Sequence, residues 1–272
     1  MNITFLGGGN MANAIIGGLR QQGFAASGIQ VVEPVAANRT QLTDAFGVRC
    51  VAAIDAAALD CDVLVLAVKP QQLREAVAPL AGKLRQQLVI SIAAGVRLAD
   101  LDRWLGNHTR LVRVMPNTPA LIGAGVSGLW AGAGVDSAGR AAAEKILGAV
   151  GQTLWIADEA QMDAVTAVSG SGPAYVFHFT EALRDAGAEL GLPADTANKL
   201  AIETMLGAAK LAAQSSDDVA LLRQRVTSKG GTTEAALASM MKDHLKETII
   251  RAIKAANDRS RALGEQLGKD EC

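Results

Sequence analysis

An excess of charge of either sign is missing from this chain. Its 26 lysines and arginines face 27 aspartates and glutamates, a formal net charge of −1. No basic field exists to hold nucleic acid or an anionic membrane surface. Aromatic residues are scarce, at 3% of 272 positions, with one tyrosine, Tyr175. The hydrophobic half of the sequence is therefore mostly Ala, Val, Leu and Ile, which suit closely packed helices. Paired cysteines are also lacking. Cys50, Cys61 and Cys272 lie far apart, which excludes a disulfide frame or zinc site and reads as reduced thiols of a cytosolic protein. No secretory signal is expected before the apolar run Asn2-Ile3-Thr4-Phe5-Leu6. Nor is there an uninterrupted membrane span. Val114 to Val135 is uncharged but holds Pro116, Pro119, Gly123, Gly125, Gly128, Gly132 and Gly134. A spanning helix must satisfy its backbone internally, so this stretch reads as loop and buried strand.

What is present alternates. Strands are expected at 3–6, 29–33, 62–68, 87–92 and 109–114, with helices over 10–22, 38–46, from Pro70 and over 98–105. The run Asp62 to Val68 is continuously apolar, as a parallel strand covered on both faces requires. Two further strands, near 126–130 and 152–156, flank an Ala-rich helix. The fold expected is an α/β, doubly wound, mostly parallel sheet of the Rossmann type over residues 1–160. After about residue 160 no strand signal recurs. A helix starts at Ser171-Gly172-Pro173, breaks at Leu192-Pro193, and a second runs to Gln214. Ser215 to Asp218 caps a third. One long last helix is expected, with Leu237, Met241, Leu245, Ile249 and Ile253 on one stripe. Residues 161–272 thus read as an all-α domain whose apolar faces need a partner subunit.

Gly7-Gly8-Gly9-Asn10-Met11-Ala12 fits G-x-G-x-x-A between the first strand and the first helix. The first glycine permits a sharp turn, the second lets backbone approach a pyrophosphate, and Ala12 keeps the helix close to the strand. The helix start then offers free N–H groups to phosphates. An ordinary tight turn is the competing reading. Glu33 ends the second strand, where an acidic residue binds the ribose 2′-hydroxyl of NAD, or stands as a solvated strand-end charge. Arg39 instead suits the 2′-phosphate of NADPH, and the two readings stay open. Ala67-Val68-Lys69-Pro70 and Ala93-Ala94-Gly95 end later strands on the edge where ligands of such sheets bind. Tight packing is the alternative for Ala93 and Ala94. Lys69 reads as a positive charge near cofactor phosphate or ribose rather than as a proton donor.

The second unusual segment is Thr227-Ser228-Lys229-Gly230-Gly231-Thr232-Thr233, at the start of the last helix. Such a loop presents backbone N–H groups to a carboxylate, or is a glycine turn with a threonine cap. Here the chain resembles the pyrroline-5-carboxylate reductase family. This segment is similar to the family's C-terminal signature, and Ser169-Gly170-Ser171-Gly172-Pro173-Ala174-Tyr175 to a second. Met115-Pro116-Asn117-Thr118-Pro119, Ala67-Val68-Lys69-Pro70 and the opening glycine run match in the family's order. The resemblance covers about residues 3 to 260.

The resemblance implies reduction of 1-pyrroline-5-carboxylate to L-proline with NADPH or NADH, in a cytoplasmic homodimer that can assemble into a ring. It implies Thr233 as the catalytic contact to the ring nitrogen. The N–H groups around Gly230, Gly231 and Thr232, with the Ser228 hydroxyl, would hold the substrate carboxylate, Glu159 would lie near the ligand, and Asn117 would join the cofactor residues. No metal is implied. Arg225 and Ile54 depart from some relatives, which carry an amide and an asparagine there. A protonated cyclic imine is already electrophilic, so orientation and electrostatic support suffice without a strong acid. His108 and His244 read as surface or packing residues, and so does His178, though its apolar Tyr175–Phe179 surroundings make it the first exception to test. Rival readings are another imine or β-hydroxy-acid reductase, against which the missing lysine between Ser169 and Lys199 weighs, and a non-catalytic dinucleotide sensor.

Overall fold

The computed structural model describes residues 1–269. Its strands are β1 (Ile3–Leu6), β2 (Ile29–Val32), β3 (Arg49–Val51), β4 (Val63–Leu66), β5 (Leu88–Ser91), β6 (Leu111–Met115), β7 (Gly125–Ala131) and β8 (Gly151–Trp155). The first helices are α1 (Asn10–Gln21), α2 (Ala36–Phe46), α3 (Ala56–Leu59), α4 (Pro70–Val77), α5 (Leu98–Trp104), α6 (Ser137–Leu147) and α7 (Met162–Val165). Then follow α8 (Gly172–Glu189), α9 (Ala194–Gln214), α10 (Val219–Arg225), α11 (Thr232–Lys242) and α12 (Leu245–Leu267). Two compact units result: residues 1–171 with the chain from Ala256 onward, and Gly172–Ala255.

The first unit carries one sheet in the order β3-β2-β1-β4-β5-β6-β7-β8. All neighbours are parallel except β6 and β7. The central strands β1, β4 and β5 are buried on both faces and mostly apolar, and their side chains alternate between two cores. Ile3, Phe5, Val31, Val65 and Ile90 face Ile15, Ile16 and Leu19 of α1 and Ile146 and Leu147 of α6. Leu6, Val32, Leu64, Leu66 and Val89 face Leu73 and Val77 of α4 and Leu101 of α5. The buried stripe of α1, Ala12, Ile15, Ile16 and Leu19, repeats at helical spacing. Helix ends follow local chemistry: Pro70 opens α4, Asp55 and Asp136 accept N–H groups at the starts of α3 and α6, and Gly47 ends α2 with φ 68°.

Several elements escape the sequence pattern, among them the short helices α3 and α7. Strand β3 is three residues long and its register is set by pairing with β2, so no periodicity announces it. The expected single last helix is two. Asp243 closes α11, and His244 stands at φ 53° before α12 begins. The fourfold spacing from Leu237 to Ile253 runs across the break and conceals it.

In the second unit α8 and α9 approach closely through small residues, Gly187 against Ala197. Ala197 and Ala201 are the buried residues of α9, and none of α8, α10 or α11 is buried in the single chain. Phe177, Leu200, Ile202, Leu211 and Met241 are exposed. The end of α12 belongs to the first unit, where Ser260 donates to Asp163 at 2.7 Å and Gly264 lies against Gly95. No helix among the described residues is long and apolar enough to cross a membrane.

Candidate active site

The sheet order reverses between β1 and β4, and the carboxyl ends of β2, β1, β4 and β5 stand side by side. Leu6 pairs with both Val32 and Leu66, and Leu66 with Ser91. Ligands of open parallel sheets bind at such a switch point. The glycine turn sits on it. Gly7 has φ +100°, and a Cβ there would lie 2.8 Å from the Ala67 carbonyl oxygen. A Cβ on Gly8 would meet Leu42 at 2.7 Å and Glu33 at 3.2 Å. Gly9 differs: nothing lies within 4 Å of its missing Cβ. It is the residue before α1, extended at φ −73°, and no side chain caps the helix there. By helix geometry the first N–H groups of α1 lack intrahelical acceptors. Open space, a glycine and a helix start therefore coincide, which fits a dinucleotide pyrophosphate. Ala12 is fully buried, Met11 half-buried and Asn10 exposed. Asn13, which the motif reading passed over, closes the turn by donating to Gly8 O at 2.8 Å.

Around this turn the expected residues take different positions. Glu33 is buried, at 6% exposure, which overturns the solvated-charge alternative. Its Oε2 accepts the Gly8 N–H at 2.9 Å and its Oε1 the Val35 N–H at 2.9 Å. Arg39 donates to the carbonyls of Glu33 and Pro34 at 2.8 and 2.7 Å. Ala67 donates to Leu6 O at 2.8 Å, so the Ala67–Pro70 segment leaves the sheet beside Gly7, with Val68 half-buried and Lys69 exposed. Ala93 is buried and Ala94 half-buried at the end of β5, while Gly95 faces the end of α12. Asn117 is 9% exposed, and both ends of its amide are engaged: Oδ1 accepts from Val126 N at 2.9 Å and Nδ2 donates to Ser169 O at 3.3 Å. It ties the π-helical segment Thr166–Gly170 to β7. Ile54 packs on the apolar core and supplies no polar contact. Glu159 bonds Arg113 and the Leu98 N–H, at 2.9 and 2.8 Å, in the first unit.

The signature loop lies in the second unit. Two of its expected carboxylate donors are already used. Gly230, at φ +71°, donates to Glu234 Oε2 at 2.7 Å, and Gly231 donates to Ser228 O at 3.0 Å. Glu234, in the first turn of α11, reaches back over the loop to the Gly230 N–H, a contact that the sequence reading did not include. The N–H groups left for an anion are those of the first turn, from Thr232 and Thr233. Ser228 and Thr232 are exposed and Thr233 is half-buried. Arg225 pairs with Asp217. Gly230, Gly231 and Glu234 line a groove of about 1300 Å³ together with Met240, Met241 and Ile250. The histidines stand apart: His108 is buried on Gln87 O at 2.8 Å, His178 is exposed beside Glu181, and His244 marks the helix break. Burial pushes the Cys61 thiol above its ordinary pKa, which disfavours the reactive thiolate.

These features define a Rossmann-type dinucleotide-binding protein joined to a helical unit with exposed apolar faces. A family profile described as pyrroline-5-carboxylate reductase dimerisation matches residues 159–263. A second, described as NADP oxidoreductase coenzyme F420-dependent, matches residues 2–95. The chain is 48% identical over 268 residues to a pyrroline-5-carboxylate reductase of Pseudomonas aeruginosa, covering 98% of each. It is 43% identical over 264 residues to that of Haemophilus influenzae, covering 96% of this chain and 97% of the relative. A solved pyrroline-5-carboxylate reductase from Coxiella burnetii superposes with a TM-score of 0.92 at 42% identity, covering 96% of this chain and 98% of that one. Plasmodium falciparum pyrroline carboxylate reductase with NADP bound gives 0.86 at 30% identity, over 97% and 98%. The chain belongs to the pyrroline-5-carboxylate reductase family.

Proposed function

We propose that this chain reduces 1-pyrroline-5-carboxylate to L-proline with NAD(P)H, as the last step of proline synthesis. The observation that carries the reading at the cofactor end is the glycine turn at the sheet's switch point, open at Gly9 and closed at Gly7 and Gly8. The nicotinamide, when bound, supplies the hydride that adds to the imine carbon. The protein's own groups bind and orient. Backbone N–H groups opening α11 at Thr232 and Thr233 hold the substrate carboxylate, with the Ser228 hydroxyl beside them. Gly230 and Gly231 act by shaping the loop, since their N–H groups serve Glu234 and Ser228. The Thr233 hydroxyl holds the ring nitrogen, accepting or donating as its protonation requires. Glu159 acts on the site through Arg113 and α5.

The division of labour that supports this chemistry is a cofactor-binding part over 1–160 and a dimerisation and substrate part over 161–272. Self-association follows from the match to a dimerisation family and covers the exposed Phe177, Leu200 and Met241. The larger assembly we expect is a ring of dimers, which sedimentation velocity resolves. A cytoplasmic setting accords with the unpaired Cys50 and Cys61. The deciding assay follows NAD(P)H oxidation with pyrroline-5-carboxylate and, separately, with open-chain keto and hydroxy acids. Turnover with the cyclic imine alone is expected. Faster turnover with an open-chain acid would reject the assignment.

A further inference from the structure

We propose that Glu33 makes this chain select NADH over NADPH at the adenosine ribose. The inference rests on the reading of the glycine turn as the dinucleotide site. Glu33 lies at the carboxyl end of β2, next to the end of β1, and is held from two sides. One oxygen accepts the Gly8 N–H and the other the Val35 N–H, each at 2.9 Å. At 6% exposure the side chain is buried. Moving it would strand two amide donors. A carboxylate has about four acceptor positions on its two oxygens. One on each is used, which leaves a second on each for the two hydroxyls of a ribose. The same fixed negative charge repels a 2′-phosphate.

The surroundings supply little to offset that repulsion. Strand β3 runs beside this end, with Glu33 N–H donating to Val51 O at 2.8 Å. It leaves the sheet through Ala52, Ala53 and Ile54, none with a donor side chain. Pro34 has no N–H, Val35, Ala36 and Ala37 offer no polar side chain, and Asn38 brings an amide but no charge. Arg39 is the one cation of the segment 33–39. Its Nη1 is committed to the carbonyls of Glu33 and Pro34, so it serves to hold the loop that presents Glu33.

Calorimetry of the full-length protein with NADH and NADPH, without pyrroline substrate, tests the assignment. NADPH is expected to bind at least tenfold more weakly, and ADP to exceed adenosine 2′,5′-bisphosphate in the same sense. Glu33→Gln should narrow the NADH:NADPH ratio at least fivefold, and kcat/KM should follow. Arg39→Ala should leave the preference for NADH in place. The wild-type ratio needs no variant, so a poorly folding Glu33→Gln does not remove the test. Equal or tighter binding of NADPH by the wild type overturns the inference and leaves the reductase assignment standing. Failure of both nucleotides to bind would remove the dinucleotide site itself and the inference with it.

Discussion

Arg113, whose side chain is 5% exposed, meets Glu159 at 2.9 Å, and the same carboxylate oxygen accepts the Leu98 N–H at 2.8 Å. One oxygen thus ties the middle of β6 to the start of α5. Removing Glu159 would leave a buried guanidinium without its counter-charge. Glu159→Ala should lower stability by roughly 3 kcal/mol, the lower end for a broken buried pair because Glu159 is partly exposed. Chemical denaturation measures it. If the variant keeps wild-type stability but loses substrate affinity, Glu159 is a ligand contact rather than a brace.

The glycine turn separates folding from binding. Gly7→Ala places a methyl 2.8 Å from the Ala67 oxygen on a backbone at φ +100°, and should destabilise the protein by about 2 kcal/mol or more. A Cβ at Gly9 meets no protein atom within 4 Å, so Gly9→Val should change the melting temperature little. Its side chain would stand where the pyrophosphate is placed, and the cofactor Kd should rise at least roughly tenfold. Unchanged nucleotide affinity in Gly9→Val would move the phosphates elsewhere.

Thr233→Ala should reduce kcat/KM for pyrroline-5-carboxylate by roughly 10- to 100-fold, the worth of one hydrogen bond to a charged group. Thr233→Ser should recover most of it. Nucleotide binding and the light-scattering mass should stay as in the wild type. A full-rate Thr233→Ala enzyme would take the hydroxyl out of the reaction.

Acid sensitivity should be traceable to helix caps. The Gly139 N–H and then Arg110 hold the Asp136 carboxyl below its ordinary 3.8. Arg49 and the Ala58 N–H do the same for Asp55. A lowered folded pKa means that the unfolded chain takes up protons first. The stabilisation is complete above the unfolded value and is lost as pH falls through the folded one. The melting temperature should therefore fall as pH drops below about 4. Asp136→Asn keeps a cap acceptor but not the charge, and should flatten that slope. A slope identical to wild type would assign the acid response to other groups.

The helix stripe of α1, the double-faced strands and the glycine turn were legible in the sequence because each depends on residues close together in the chain. The same reading missed β3, whose three residues carry no period and form a strand only because Gln30–Val32 offer them hydrogen bonds. It joined α11 to α12 because the apolar spacing continues through His244. It placed Gly230 and Gly231 among the carboxylate donors, since nothing local says that Glu234 reaches back to take one of those N–H groups.

The alternation of strands and helices, the sheet class and the position of the glycine turn were determined by the sequence alone, since backbone sterics and hydrophobic period act over a few residues. Only the tertiary structure decided the partners of the polar groups. Glu33 could be a solvated charge or a site residue until the fold brought Gly8, 25 positions away, onto its carboxylate. Arg113 and Glu159 are 46 positions apart, and no spacing rule joins them. Burial makes such groups find partners, but which donor is within reach is set by how strands and loops converge in space.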